Sequence, residues 1–269
     1  MNRATKVDTW AVRVTSVGFA THLMVKQLEG SSVRDEGDHI VVRTSAIPDY
    51  YWGNFVLAGA DLGDHERWLA VFAREFPAAG HVAVGLDGSA ASEELLAGYR
   101  QAGLAAEISQ VLVTTRMDAR APRADCRLLI SDDDWAAFPE LTLDCDDRAD
   151  EQHQLFLRRR AGQQRELSRG PRVVWFGAFV EGRLRASLGL VSDGRGLVRY
   201  QDVQTHPDFR RRGLARSLVA TAGRYALDEM GARTLVIVAD PGYHAINLYR
   251  SVGFADAGAQ VELLKSPRP

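Results

Sequence analysis

One short stretch of this chain occurs twice. Tyr99-Arg100-Gln101-Ala102-Gly103-Leu104 lines up with Tyr249-Arg250-Ser251-Val252-Gly253-Phe254, 150 residues further on, and Gln110-Val111 lines up with Gln260-Val261 at the same offset. In a chain of 269 residues, that offset divides the sequence into two parts of ordinary domain size. Around each copy the pattern runs helix, strand, helix, strand. The two halves are therefore expected to share one fold, with chance similarity over so short a match as the alternative. The expected domains are residues 1–118 and 125–269. The polar, Pro-containing segment Met117-Asp118-Ala119-Arg120-Ala121-Pro122-Arg123-Ala124 separates them.

The first half begins with β-type runs, Ala11-Val12-Arg13-Val14 and His39-Ile40-Val41-Val42-Arg43-Thr44. Tyr50-Tyr51-Trp52-Gly53-Asn54-Phe55-Val56-Leu57 is the most aromatic stretch and reads as a buried strand, with a ring-binding surface as the alternative. Residues 66–76 place Trp68, Leu69, Phe72 and Phe76 on one helical face, with Asp64 as N-cap and Pro77 as the stop. A strand over 81–86, a helix capped by Ser92 and a strand over 108–114 complete this half. In the second half, strands are expected over 126–130, 172–180, 183–191, 197–204, 233–240 and 259–265. Glu181-Gly182 supplies a hairpin turn. Helices are expected over 132–138, 150–167, from Leu214 to near Gly231, and 243–252.

The composition is 46% hydrophobic and 25% charged, which suits a core-forming chain. Lys+Arg 33 against Asp+Glu 35 gives a net charge of −2, which argues against nucleic-acid binding driven by overall charge. Arg158-Arg159-Arg160 reads as a solvated helix face. Cys126 and Cys145 fit no metal motif, and His153 and His244 have no partners at metal-ligand spacing, so no metal is expected. The N-terminus lacks the apolar core of a signal peptide, and no run approaches the roughly 18 apolar residues of a membrane span. A soluble, cytoplasmic protein is expected.

The chemistry concentrates at Val203-Gln204-Thr205-His206-Pro207-Asp208-Phe209-Arg210-Arg211-Arg212-Gly213-Leu214-Ala215-Arg216. A strand runs into an arginine-rich, glycine-containing loop, and a helix follows. The first N–H groups of a helix have no internal partner and carry the positive end of its dipole. Gly213 allows close backbone approach, and Arg210, Arg211, Arg212 and Arg216 add full charges. A phosphate or pyrophosphate fits such a place. The chain has no Gly-Lys-Ser/Thr here, which argues against a nucleotide P-loop. The corresponding loop of the first half carries Asp61, Asp64 and Glu66, whose charges would repel a pyrophosphate.

Arg210-Arg211-Arg212-Gly213-Leu214-Ala215 satisfies the pattern Arg/Gln-x-x-Gly-x-Gly/Ala. With the turn His206-Pro207-Asp208-Phe209 before it and Tyr249 to Gly253-Phe254 after it, the second half resembles the GCN5-related N-acetyltransferase (GNAT) superfamily over roughly residues 125–265. The first half resembles a degenerate copy, as in tandem-domain members. The resemblance implies an α+β (α/β) protein of two GNAT-like domains, each a mixed, mostly antiparallel twisted sheet flanked by helices. It implies an N-acetyltransferase that moves the acetyl group of acetyl-CoA to a primary amine by direct attack. The alternative is a non-catalytic CoA-binding or sensing module. Backbone groups of Arg211, Arg212, Gly213, Leu214 and Ala215 would hold the CoA pyrophosphate, supplemented by Arg210 and Arg216. Val203 and Gln204 would bond the pantetheine arm. Tyr249 would protonate the departing thiolate, with plain core packing as the alternative. Asp202, on the strand before the loop, is the candidate base, directly or through water, with a structural or surface carboxylate as the alternative. Family members often carry an asparagine three residues before the equivalent of Ala245, where this chain has Gly242; Asn247 is the nearby cofactor-binding candidate. The acidic residues Asp132-Asp133-Asp134, Asp144, Asp146, Asp147, Asp150 and Glu151 fall in the region that walls the acceptor site in the family. An acidic wall would favour a cationic amine, whereas helix caps and solvated faces are the plainer reading. The expected partners are acetyl-CoA and an amine acceptor, a small molecule rather than a protein, with no nucleic acid and no membrane.

Overall fold

The computed structural model describes residues 14–47, 50–88, 91–117, 124–146, 148 and 150–266. The first half runs α1 (Val17–Leu28), β1 (Ser32–Asp35), β2 (His39–Arg43), β3 (Asn54–Ala58), α2 (His65–Glu75), β4 (Val82–Leu86), α3 (Glu93–Gln101) and β5 (Ala105–Thr114). The second runs β6 (Asp125–Leu128), α4 (Asp132–Cys145), α5 (Glu151–Leu167), β7 (Val173–Val180), β8 (Arg183–Ser192), β9 (Leu197–Thr205), α6 (Leu214–Asp228), β10 (Thr234–Ala239), α7 (Ala245–Ser251) and β11 (Ala255–Lys265). Apart from β6 and α4, the two series have the same order of elements. Helix starts follow local chemistry. Ser16, Asp64, Ser92, Ser131 and Asp150 each accept a backbone N–H from the first turn, and Ser131 with Asp134 forms a capping box.

The strands make one mixed, mostly antiparallel sheet in the order β1-β2-β3-β4-β11-β5-β10-β9-β8-β7-β6. This order shows an exchange. The last strand of the second half, β11, pairs with β4 of the first half, and the last strand of the first half, β5, pairs with β10 of the second. β5 and β11 pair antiparallel at the centre. Their register is symmetric under the sequence offset: Ser109 faces Gln260 and Gln110 faces Ala259, and these partners are 150 residues apart crosswise. Such self-complementary pairing is what a two-fold axis between two copies of one unit produces. Each half's sheet is thus completed by the other half's strand.

Three apolar clusters flank the sheet. One joins α6 and α7 to β7–β10, with Leu218, Val219, Tyr200 and Leu235 at its centre. A second joins α2 and α3 to β2–β4, with Trp68, Phe72, Phe55 and Tyr99. The third holds α4 and α5 around Trp135, Phe138 and Trp175. α1 belongs to two of them: Phe19 and Leu23 enter the second cluster, Met24 and Val25 the third. α1 therefore fastens the halves together on one sheet face. No helix of the described residues is long and apolar enough to cross a membrane.

Two expectations for the first half are corrected. Residues 17–28, within a region of expected β-type runs, form α1. Its buried residues are Gly18, Phe19, Thr21, Leu23, Met24, Val25 and Lys26, so no single apolar stripe marks it as a helix. The aromatic run divides. Tyr51–Gly53 is a 3-10 turn with Tyr50, Tyr51 and Trp52 half-buried, and only Asn54–Ala58 is buried strand. The strand expected at residues 11–14 lies almost wholly outside the described residues.

Candidate active site

The site begins with a failure of strand pairing. β9 pairs in parallel with β10 only through Leu197, Val198 and Arg199. Beyond Arg199 the two strands part, and the rest of β9 has no ladder partner on that side. On its other side, Ser187 faces Gln204 and Gly189 faces Gln201, so Asp202 and Val203 together oppose Leu188. This is a β-bulge, and Asp202 takes φ 46° within it, a conformation Asp tolerates better than most residues. The bulge bends β9 away from β10 and opens a wedge at the C-terminal end of the strand.

The loop after β9 fills one wall of the wedge. His206 Nδ1 accepts the Asp208 N–H at 3.2 Å and fixes the turn. Arg210 Nε donates to the Thr205 carbonyl at 3.2 Å, and Arg216 donates to the Ser251 carbonyl at 3.2 Å. Arg211 has φ 60° and Gly213 φ 82°, so two left-handed residues flank Arg212. Alternation of this kind turns successive N–H groups toward one side and makes an anion-binding concavity. For Arg211 the conformation costs on the order of 1 kcal/mol or more. Gly213 is the N-cap of α6, with no side-chain cap bond and no acid in the first turn. The helix start therefore keeps its orphan donors and its dipole for an outside acceptor.

The resulting cleft has a volume of about 310 Å3. It brings together Val203, Gln204, Arg210, Arg211, Gly213, Leu214, Ala215, Arg216 and Tyr249. Three expected residues lie elsewhere. The Arg212 guanidinium stacks on Phe209 with its carbon 4.7 Å from the ring centre, and Arg185 stacks on the same ring at 4.4 Å. Arg212 thus braces the loop. Asn247 is exposed on α7, outside the cleft lining. Asp202 faces a second hollow of about 270 Å3, which shares Cys145, Val203 and Gln204 with the cleft. There the Asp202 carboxylate accepts Arg160 Nη2 at 2.9 and 3.1 Å and Gln164 Nε2 at 2.8 Å. Asp202 in turn raises the Arg160 pKa.

Tyr249 is buried at the back of the cleft, and burial pushes its phenol up to about 12, with a smaller contribution from Tyr243. Its hydroxyl has no hydrogen-bond partner among the described residues. The phenol keeps its proton through the ordinary pH range and can act only as a donor. Gln204 spans the floor, donating to Thr142 Oγ1 at 3.0 Å and to Ser187 Oγ at 2.9 Å. Cys145 reaches both hollows from the end of α4; burial, first among the causes, raises its thiol to about 11, so it is no thiolate nucleophile at neutral pH. Thr205, Phe209, Tyr243, His244 and Leu248 also line the cleft and were not anticipated. For Tyr243 and His244 their position just before α7 was the available signal.

The acidic region divides. Asp134 is held by Arg127, first among the causes that drop its carboxyl far below the usual range, and Asp150 caps α5. Asp146 lines the second hollow and accepts His153 Nε2 at 2.9 Å, which lowers the Asp146 pKa. Asp147 lies outside the described residues. Among the described residues no group of three or more His, Cys, Asp and Glu could hold a metal ion.

Comparisons with known proteins fit this geometry. Residues 129–254 match the model of the acetyltransferase (GNAT) family. A functionally unknown conserved protein from Staphylococcus epidermidis superposes with TM-score 0.74 at 14% identity, over 89% of this chain and 95% of that one. A GCN5-related N-acetyltransferase from Kribbella flavida gives TM-score 0.64 at 16% identity, over 94% and 98%. A tandem GNAT protein from the clavulanic acid biosynthesis pathway gives TM-score 0.53 at 13% identity, over 89% and 84%. At such identities the superpositions establish the fold. No curated protein matches the sequence. With an uncapped helix start beside a parted pair of strands, and a family match over that same half, the chain is a tandem-fold protein whose second half belongs to the acetyltransferase (GNAT) family.

Proposed function

We propose that the chain is an acetyl-CoA-dependent N-acetyltransferase acting on a primary amine, with the second half as the transfer domain and the first as a non-catalytic copy. The observation that carries this reading is the continuity of the uncapped α6 N-terminus, the unpaired edge of β9 and the Tyr249 hydroxyl within one cleft. Backbone N–H groups of Arg211 to Ala215 would hold the pyrophosphate, with Arg210 and Arg216 as flanking charges. The free edge of β9 at Val203 and Gln204 offers backbone donors and acceptors to the amides of the pantetheine arm. Acetyl-CoA supplies a thioester carbonyl carbon; the amine nitrogen bonds to that carbon as its C–S bond breaks.

Tyr249 donates a hydrogen bond to the sulfur as negative charge grows there. A phenol at about 12 holds its proton more tightly than a thiol of ordinary pKa ~8.5, so the contribution is stabilisation of the charge rather than early proton transfer. Asp202 and Asp146 put negative charge beside the approach of an ammonium group. The Asp202 oxygens already accept three bonds, from Arg160 and Gln164, so we assign the ammonium proton to solvent in the open hollow, with Asp202 steering the amine.

Isothermal titration with acetyl-CoA tests the reading. One molecule bound per chain, with thiol release on adding an amine, is the expected result. A folded protein that ignores millimolar acetyl-CoA overturns it. Binding without transfer to any amine would leave a CoA-sensing module.

A further inference from the structure

The cleft accounts for the thioester end of the reaction and leaves a larger space unexplained. A cavity of about 740 Å3 opens between the loop carrying Tyr50, Tyr51 and Trp52 of the first half and the outer face of α5. Among the described residues five large apolar side chains are exposed, and three of them, Ile47, Leu155 and Phe156, line this cavity. Scattered exposed apolar residues need no explanation; a gathered set inside a concavity marks a ligand.

The aromatic wall is built. Asn54 donates from one amide nitrogen to the Ile47 carbonyl at 2.9 Å and the Tyr50 carbonyl at 3.0 Å, and Lys26 donates to the Tyr50 hydroxyl at 2.9 Å. On the opposite wall, Arg158 is paired with Glu140 and Arg160 with Asp202, while Arg159 lines the cavity with no carboxylate partner among the described residues. Among the described residues the one carboxylate in the lining, Glu29, is neutralised by Lys26.

Arg160 joins this cavity to the chemistry. It lines the cavity on one side and the hollow of Asp146 and Asp202 on the other, and that hollow shares Val203 and Gln204 with the cleft. An acceptor laid along this path has its ammonium beside the Asp146 and Asp202 carboxylates, the second of them already paired with Arg160. Its body lies among Trp52, Tyr51 and Phe156, and its far end faces an unpaired guanidinium.

Resting on the transfer reading above, we propose that the acceptor is a small arylalkylamine bearing an anionic group at the end away from the amine, its ring held by the aromatic wall of the first half and its anion by Arg159. Charge at both ends and rings between them set this class apart from polyamines, which would bring a second cation to Arg159. The first half then has a task in the reaction: it supplies half of the acceptor site.

The probes are 4-(2-aminoethyl)benzoate, phenethylamine and spermidine, assayed with the full chain by thiol release at saturating acetyl-CoA. The expected order of kcat/KM is that order, with at least tenfold between the first two. Arg159→Ala collapses that ratio toward one. Phe156→Ala raises KM for both aromatic amines tenfold or more, with kcat changed by less than threefold. Both side chains are exposed, so neither change threatens folding, and acetyl-CoA titration on each variant checks the cofactor cleft separately. Spermidine as the best acceptor, a benzoate preference that survives Arg159→Ala, or binding of acetyl-CoA with no turnover of either aromatic amine would each overturn the proposal while leaving the transfer reading intact. Failure to bind acetyl-CoA brings down both.

Discussion

α2 and α6 occupy the same place in the two halves, and their first turns are finished differently. At α2, Asp64 accepts the Arg67 N–H at 3.1 Å, and Arg67 is itself gripped by Asp38 and Asp61. The His65 ring lies 5.9 Å from the Tyr99 ring and so close to Gly98 that a Cβ there would strike it. The Tyr99 hydroxyl donates to the Leu62 carbonyl at 2.7 Å. Asp64, Arg67 and the Tyr99 hydroxyl are thus all bonded within the protein. At the 150-residue offset, His65, Gly98 and Tyr99 become Ala215, Leu248 and Tyr249, all lining the open cleft. Asp64 gives way to Gly213 within one residue of that offset, and no acid remains in the first turn. One backbone thus serves two ends. With a carboxylate cap and a ring plug it stabilises; with both removed it leaves its donors facing an open cleft. A side-chain cap is worth about 1 kcal/mol, which α6 forgoes.

The largest effect should follow from giving α6 the ending of α2. Gly213→Asp combined with Arg210→Glu puts a carboxylate at the helix start and reverses a flanking charge. We expect acetyl-CoA affinity to fall at least ~100-fold, about 2.7 kcal/mol, by titration calorimetry, with the circular dichroism spectrum unchanged. Retained affinity would mean that the anion is held elsewhere and that the contrast between the helices is incidental.

Next come the two tyrosines. Tyr249→Phe should lower kcat roughly 10–100-fold through loss of a donor aimed at developing charge, while acetyl-CoA affinity holds. Tyr99→Phe should do the reverse. It orphans the Leu62 carbonyl and destabilises the fold by about 1 kcal/mol in a denaturant titration, with kcat unaltered. Equal kinetic effects from both would show that the Tyr249 hydroxyl has no chemical role.

The contrast between helix starts was legible in the sequence because it is local: Asp64 and Gly213 sit within a few residues of the helices they begin. The repeat, the hairpin at Glu181-Gly182 and most strands were readable for the same reason. What was not readable arises from distant contacts. The exchange of β5 and β11 depends on which half each strand joins, and strand pattern is the same for either choice. Asp202 read as a candidate base because its partner Arg160 is 42 residues earlier in the chain. α1 escaped because two different cores bury it from opposite sides, so polar and apolar positions do not alternate at helical spacing.

A smaller effect tests the comparison from the first half. Asp64→Ala removes the cap of α2 and should cost about 1 kcal/mol of stability without creating a second site, because His65 still plugs the space. Titration should continue to give one acetyl-CoA per chain. Two would show that the carboxylate alone separates the halves.

The smallest expected effect lies at the seam where the halves exchange strands. Glu262 on β11 is buried near His22 and Lys26 of α1, Arg199 of β9 and Glu107 of β5, and Gln260 donates to it at 2.8 Å. Burial, the leading cause, raises its carboxyl to about 7 from an ordinary 4.5. The folded state therefore binds a proton that the unfolded state has released. That contribution to stability is present below pH 4.5 and is lost as pH rises through about 7. His22 acts oppositely. Burial lowers its pKa well below 6.5, so it favours folding increasingly as pH rises through 6.5, and its slope fades within about one unit above that. Between pH 6.5 and ~8 the Glu262 decline, below roughly 1 kcal/mol, outweighs what remains of the His22 gain. Glu262→Gln keeps the shape and the bond from Gln260, and it should flatten that decline in urea titrations taken across the window. An unchanged slope would place the titration elsewhere and leave the seam electrostatically silent.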